Sequence, residues 1–553
     1  MTSAERIPLP GGATAPIALP RRRFLQGGLV LIGGTVLGSC GGGSDSSDPV
    51  APQDAAEPPS FAPYTGVSPD LPGDPAHHVP DAFFRYPADP PPFFDGRPGN
   101  GGTVHILTQA GQIGVPLDRN TRWQKLNESL GVELTFEVAM PTEWDAKQSV
   151  TLAGGDLPDI MQLKSMAQFP RVLDSEFADL TEFLSGDAIE NYPALAAIPS
   201  LAWKTVTVNG RIFGIPQSRP PVGPICSIRG DLLDEMGVTV DVSDGQDFLD
   251  LCRELTDPAR NRWAIASDPS QWSLGYVLEM MSAPNRSHPW SEDDGAFTSM
   301  YETEQMPEAL DVVRGMWEEG LLHPDSFTGN NAQMWHSGSA VIYFQAFPGW
   351  GNFTKTHPQY DLSVIPPMRW DGGGPAPKLL TGGAVEDFMA FKKADAERVQ
   401  ELLRIADYLA APFGSQEFLL VNYGIEGEDY TLDGTDPVVT EQYLSRVIPT
   451  NYIGSARNVP LYVPGVPDVT RAQHEFLSDV LPSGAPDPTV GLYSETAGTK
   501  GATEDRNMWA LQGDIVQGRR PVSDWAGAVE DWKRSVGDKI RQEYEEAFAA
   551  ADA

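Results

Sequence analysis

"GTVHILTQAGQIGVPLDRNTRWQKLNESLGVELTFEVA", residues 102–139, is the stretch whose reading decides the fold. Thr103 to Gln109 is a short apolar run bounded by glycine and polar residues, which predicts a buried strand. "GVELTFEVA" predicts a second. Between them Trp123, Leu126 and Leu130 fall on one helical face, with Asn120 or Thr121 as cap and Gly131 as stop. Strand, helix, strand in that order argues for parallel pairing, because parallel neighbours need a crossover long enough to hold a helix.

Downstream the alternation continues. "TVTVNGRIFGIP" predicts a hairpin, since Asn209-Gly210 supplies the positive φ angles of a type I′ turn. Leu310, Val313 and Trp317 mark a helix ending at Gly320, and Val399, Leu402, Leu403, Ala406 and Leu409 mark another that ends before Pro412. "SAVIYFQA" and "VEDFMAF" read as strands, and no internal repeat is present. The fold class is α/β.

Upstream the composition changes. Gly41 to about Gly102 is rich in Gly, Ser, Pro and Asp with little to bury, which predicts a flexible tether over 40–102. Its aromatic part, "DAFFRYPADPPPFF", is expected to lie extended on the folded body of 103–553. Residues 1–39 carry the features of an export signal. Gly27–Gly38 is an apolar run of about a dozen residues, where a membrane span needs about 20. Arg21-Arg22 followed by Arg23, Phe24 and Leu25 resembles the twin-arginine export pattern. Leu37-Gly38-Ser39-Cys40 resembles a bacterial lipobox, so Cys40 is the expected lipidation site, a palmitate-bearing membrane anchor.

The chain has 553 residues, enough for two or three domains, and a formal charge of −37. Residues 1–39 hold Glu5 against Arg6, Arg21, Arg22 and Arg23, a net +3, so the chain from Cys40 onward carries −37 − 3 = −40. Such a surface repels nucleic acid and other polyanions at long range. Besides Cys40 there are only Cys226 and Cys252, which either pair or remain buried thiols; spacing leaves both open.

Catalytic patterns are missing. His474-Glu475 begins a zinc-protease pattern, but Ser478 stands where the second His belongs. No phosphate loop, nucleotide-binding glycine fingerprint or Cys-x-x-Cys occurs, and "HSGSAV" lacks the flanks of a nucleophile elbow. No cofactor or metal is expected.

Taken in order, "LAGGDLPDIMQL", "FADLTEFL", "VNGRIFGIP", "SIRGDLLDEMGV", "MWEEGLLHPDSF", "HSGSAVIYF", "GIEGEDYTLDG" and the C-terminal "IVQGRRPVSDWAGAVEDWKRSVGDKIRQEYEEAF" resemble the extracellular solute-binding proteins, family 1, of ABC sugar importers. The nearest subgroup is the LipO and alginate-binding-like lipoproteins, over roughly residues 100–553. The resemblance implies a two-lobe, periplasmic-binding-protein-like fold with the ligand cleft between lobes joined by crossing segments. It implies a carbohydrate ligand, ABC transporter permease subunits as partners, and a monomer on the extracytoplasmic face of the cell membrane. The alternative is a cell-surface lipoprotein glycoside hydrolase or lyase; a third and weaker option is an importer component for peptides or other non-sugar solutes. Calcium-binding members carry an acidic loop where this chain has "TDPARNRWAIA". Asp257 and Asn261 remain, but Arg260 and Arg262 break the ligand spacing, so that site is not carried over.

For the cleft, sugar rings present apolar C–H faces that pack on aromatic rings, while hydroxyls need planar polar partners. Trp350, after a strand and on "FPGWG", falls where the family places a stacking aromatic; Phe347, Trp272 and Trp144 are further aromatic candidates. Thr108 and Gln109 end the first strand, where ligands bind in open α/β sheets. Gln162, Lys164 and Ser165 follow "DLPDI", and Gln217 and Arg219 follow the crossing hairpin.

Overall fold

A computed structural model describes residues 56–380, 385–450, 453–454 and 460–551, all within one compact unit, 51–553. The signal residues Arg21 and Arg22 and the lipidation residue Cys40 lie outside the described residues.

The opening strand–helix–strand forms as expected. Thr103–Gln109 pairs in parallel with Glu133–Ala139 on one side and with Ile160–Leu163 on the other. The helix Thr121–Leu130 starts where the Asn120 side chain accepts the Trp123 N–H and ends at Gly131, whose φ of 74° suits glycine. Trp123 and Leu126 face the core, and the Trp123 indole N–H donates to the Leu134 carbonyl at 3.1 Å, tying helix to strand.

Two further strands complete this first-lobe sheet, in the order Glu133–Ala139, Thr103–Gln109, Ile160–Leu163, Val385–Phe391, Gly214–Ser218. Val385–Phe391 runs antiparallel to both its neighbours, so the sheet is mixed rather than all parallel. The reason is topological: this strand returns from the second lobe and enters from the opposite end. The Asn209-Gly210 turn has φ of 49° and 71°, and it joins Thr207–Val208 to Arg211–Ile212.

The second-lobe sheet has the order Leu362–Ile365, Pro224–Arg229, Ala340–Ala346, Trp263–Ile265. One face is covered by a cluster that includes Phe248, Leu310 and Val313, the other by Trp335, Phe347, Trp350 and Leu477. Residues 219–223 lead directly from the first sheet to the second, and the Val222–Leu380 bridge lies beside them. Cys226 and Cys252 are both free thiols buried in the second-lobe core, and burial pushes both pKa values up. Among the described residues no helix is long and apolar enough to cross a membrane.

The expected tether differs from the structure between 56 and 102. Ala56, Ser60 and Ala62 donate their N–H groups to the carbonyls of Gly210, Gly186 and Ala196 at 2.8–3.0 Å. Val79, Ala82, Phe83 and Tyr86 are buried. These few apolar side chains provide enough burial to hold a stretch whose prolines leave little backbone entropy to lose.

Candidate functional site

The first-lobe wall is built at the carboxyl ends of its parallel strands. The Thr108 hydroxyl donates to the Gln162 side-chain carbonyl at 2.7 Å, and the Gln109 N–H donates to the same oxygen at 2.8 Å. Beside them, the Gln148 side-chain oxygen accepts the Trp144 indole N–H at 3.2 Å and the Lys164 N–H at 2.9 Å, while its amide donates to the Lys164 carbonyl at 3.0 Å. Thr108, Gln162, Gln148 and Trp144 are therefore buried supports that fix the strand ends. Gln109 keeps a small exposed surface, Lys164 is half-buried, and Ser165 is exposed. Gln217 is buried within its strand. Arg219 is half-buried and lines a cavity of about 250 Å³ beside the crossing segment, walled largely by proline and aromatic side chains such as Pro80, Pro220, Pro412 and Phe413.

Three of the four candidate aromatics are corrected by the structure. Trp144 is 0% exposed, Phe347 1% and Trp350 4%. "FPGWG" is not an open turn but the first turns of the helix Phe347–Thr356, where proline is tolerated because first-turn N–H groups have no intrahelical partner. The helical period then turns Phe347 and Trp350 inward against Phe476, with ring centroids 6.1 Å apart in each case.

Trp272 stays half-exposed, on a one-turn π-helix, Pro269–Ser273, at the carboxyl edge of the second-lobe sheet. Asp268 holds this turn by accepting the Ser270 N–H at 3.0 Å and its hydroxyl at 2.8 Å. Trp272 and Gln271 line a small pocket of about 30 Å³ with Tyr276, Asn285, Arg286, Phe344 and Lys378. The larger cavity has more volume, but its hydrocarbon lining offers few partners for hydroxyl groups; the smaller one has the planar polar groups a sugar needs.

Its floor is the buried pair Lys378–Glu279 at 3.0 Å, with the ammonium also donating to the Pro224 carbonyl and Glu279 accepting the Leu379 N–H, both at 2.9 Å. All strong groups of the pair are therefore matched. At the rim, Asn285 and His288 exchange backbone hydrogen bonds, a tight loop that presents Arg286. The Arg286 guanidinium stacks 4.4 Å from the Trp509 ring and donates to Gln512 at 3.1 Å; burial pulls its pKa down.

Gln271, Asn285 and Arg286 are not among the residues that the sequence singles out. The polar "NRSH" between Pro284 and Pro289 is the signal that could have found the last two. The stretch compared with a calcium loop is a short turn: Asp257 accepts the Ala259 N–H and pairs with Arg260 at 3.4 Å. Among the described residues no three His, Cys, Asp or Glu side chains are grouped to hold a metal.

Two α/β lobes, joined by crossing segments and carrying polar and aromatic groups at their strand ends, form the two-lobe, periplasmic-binding-type fold. No family model matches the sequence. Among relatives, the polygalacturonan/rhamnogalacturonan-binding protein YtcQ of Bacillus subtilis is 24% identical over 427 residues, covering 73% of this chain and 83% of its own. Lipoprotein LipO of the same organism is 20% identical, covering 82% and 93%. Among solved structures, the N-glycan transport solute binding protein NgtS of Streptococcus pneumoniae superposes with a TM-score of 0.61 at 16% identity, covering 81% of this chain and 98% of that one.

Proposed function

We propose that this chain is an extracytoplasmic receptor that captures a carbohydrate between its lobes and delivers it to the permease of an ABC transporter, without chemical change to the ligand. The observation that carries the reading is the second-lobe pocket, where the half-exposed Trp272 lies beside Gln271, Asn285 and Arg286. An indole face takes the apolar side of a pyranose, and the amides and guanidinium match its hydroxyls. Gln109, Lys164 and Ser165 supply the facing wall from the first lobe. The names of YtcQ, LipO and NgtS support a carbohydrate as ligand and a lipoprotein as the form of the protein.

The finer reading is that residues 1–39 are an export signal of the twin-arginine type, that Cys40 carries the lipid, and that the protein acts as a monomer held at the membrane. Incubation with neutral and acidic oligosaccharides tests the core of this. A true ligand at 100 times its dissociation constant stabilises the fold by about 2.7 kcal/mol, a change visible in a thermal melt. The same ligand is expected back intact. Shortened glycans would replace the receptor with a surface glycoside hydrolase or lyase, and a panel that leaves the melt unmoved would remove the carbohydrate reading.

A further inference from the structure

The segment 56–100 crosses between the lobes twice. Val67 packs with Phe83, Tyr86, Phe413 and Phe418, a cluster that sits on the first lobe. Four residues later Leu71 packs into the second-lobe cluster that holds Trp335, Trp350 and Leu477, and Val79 and Ala82 are buried in the same cluster. The very next residue, Phe83, is back in the first-lobe cluster. Residues 71–82 thus form a finger of the N-terminal segment inserted into the second lobe.

The finger is closed on itself. Antiparallel bridges join Leu71 to Ala82 and Asp74 to Val79. Asp81 accepts the Gly73 N–H at 2.7 Å, and a Cβ on Gly73 would lie 2.3 Å from the Val79 carbonyl oxygen. It is also joined to a second crossing of the chain. Ala82 bridges Leu461 in parallel, with Phe83 N–H to Leu461 carbonyl at 2.9 Å and Leu461 N–H to Asp81 carbonyl at 2.8 Å. On its outer side His474 meets the Pro72 carbonyl at 3.1 Å, and the Arg471 guanidinium lies 4.6 Å from the Phe84 ring, both from the helix Pro467–Val480.

We propose that this finger is an added inter-lobe tie that holds the lobes near the arrangement seen here and so sets their open–closed equilibrium. Only Ser68, Pro69 and Asp70 separate the outgoing anchors Val67 and Leu71, and nothing separates Ala82 from Phe83. A rotation of one lobe against the other therefore has to be taken up within Ser68–Asp70 and at the Ala82–Phe83 junction, where the pairing with Leu461 stiffens the crossing. The connection to ligand affinity rests on the proposed function; the mechanical claim does not.

The test uses the full chain with Cys40→Ser and spin labels at Val150→Cys, exposed on the first-lobe helix Trp144–Gly154, and Asp250→Cys, exposed on the second-lobe helix Gly245–Glu254. The buried Cys226 and Cys252 leave labelling confined to those positions. Gly73→Val drives a side chain into the Val79–Asp81 backbone and so opens the finger at its own closure. A Gly-Ser-Gly-Ser insertion between Ser68 and Pro69 lengthens the outgoing crossing with every anchor intact. Both are expected to broaden or displace the inter-label distance distribution in ligand-free protein. Unchanged distributions would overturn the proposal, and so would a lower melting temperature with unchanged distances, which would make the finger a stabilising element only. Because no ligand is used, a failure here is separate from a failure to bind any carbohydrate.

Discussion

Trp272 and Trp350 are both indoles that closely follow a proline in sequence, yet they sit in opposite environments. Trp272→Ala is expected to weaken carbohydrate binding by about 2 kcal/mol, a factor of roughly thirty, through lost burial and stacking. Its melting temperature should hardly move. Trp350→Ala is expected to cost about 3–5 kcal/mol of stability through the cavity it leaves beside Phe347 and Phe476, with ligand affinity of the folded protein unchanged. Titration calorimetry beside denaturant melts separates the two. Asp407 offers a different test. Burial raises its carboxyl pKa from 3.8 to about 7, opposed by the Ala194 and Leu195 N–H groups that it accepts at 2.8 and 2.9 Å. A folded-state pKa above the unfolded one means a contribution that is complete below about pH 4 and lost as pH rises to about 7. Asp407→Asn should therefore gain stability relative to the parent between about pH 4.5 and about pH 7.5, and a tenfold change in the carboxyl's proton affinity corresponds to about 1.4 kcal/mol. Parallel denaturant curves at the two pH values give the difference; a constant gap would show that Asp407 titrates normally.

At the scale of elements, the helices are legible in the sequence because their ends are written in local chemistry: Asn120 and Gly131 at one, Gly320 after another. "FPGWG" reads as a turn because a proline early in a helix and a proline in a turn look alike in sequence, and only the continuation through Asn352 to Thr356 distinguishes them. The helix Leu274–Met280 carries Glu279, which is paired in the interior with Lys378. Lys378→Met should destabilise the protein by roughly 3–5 kcal/mol, because it leaves a buried carboxylate uncompensated. Adding Glu279→Gln should recover part of that loss. If the single variant melts like the parent, the pair is not structurally important.

For the molecule as a whole, the proposed lipid anchor at Cys40 is directly checked. Cys40→Ser should move the protein from the membrane fraction to the soluble one, and protein that still pelleted after a salt wash would refute lipidation at that residue. The two lobes are linked by the segments near Val222, Leu380 and Leu461 and by the finger 71–82. Distance measurements, with the finger intact and opened, bear on how freely they move.

By itself the sequence determined the α/β class, the strand–helix–strand nucleus of residues 102–139, the tight Asn209-Gly210 turn and the order of stretches that resemble a solute-binding protein. These are encoded by periodicity and by residues whose backbone preferences act locally. Tertiary structure alone decided which aromatics stay partly exposed, since Trp144, Phe347 and Trp350 are as apolar as Trp272 and differ only in what packs over them. It decided that Thr108 and Gln162 bond to each other, and that Gln148 secures the Lys164 backbone from another element. It also decided that a proline-rich stretch with the composition of a tether inserts Val79 and Ala82 into the second lobe. Each depends on neighbours distant in sequence, and burial is a property of the packed set, not of the residue.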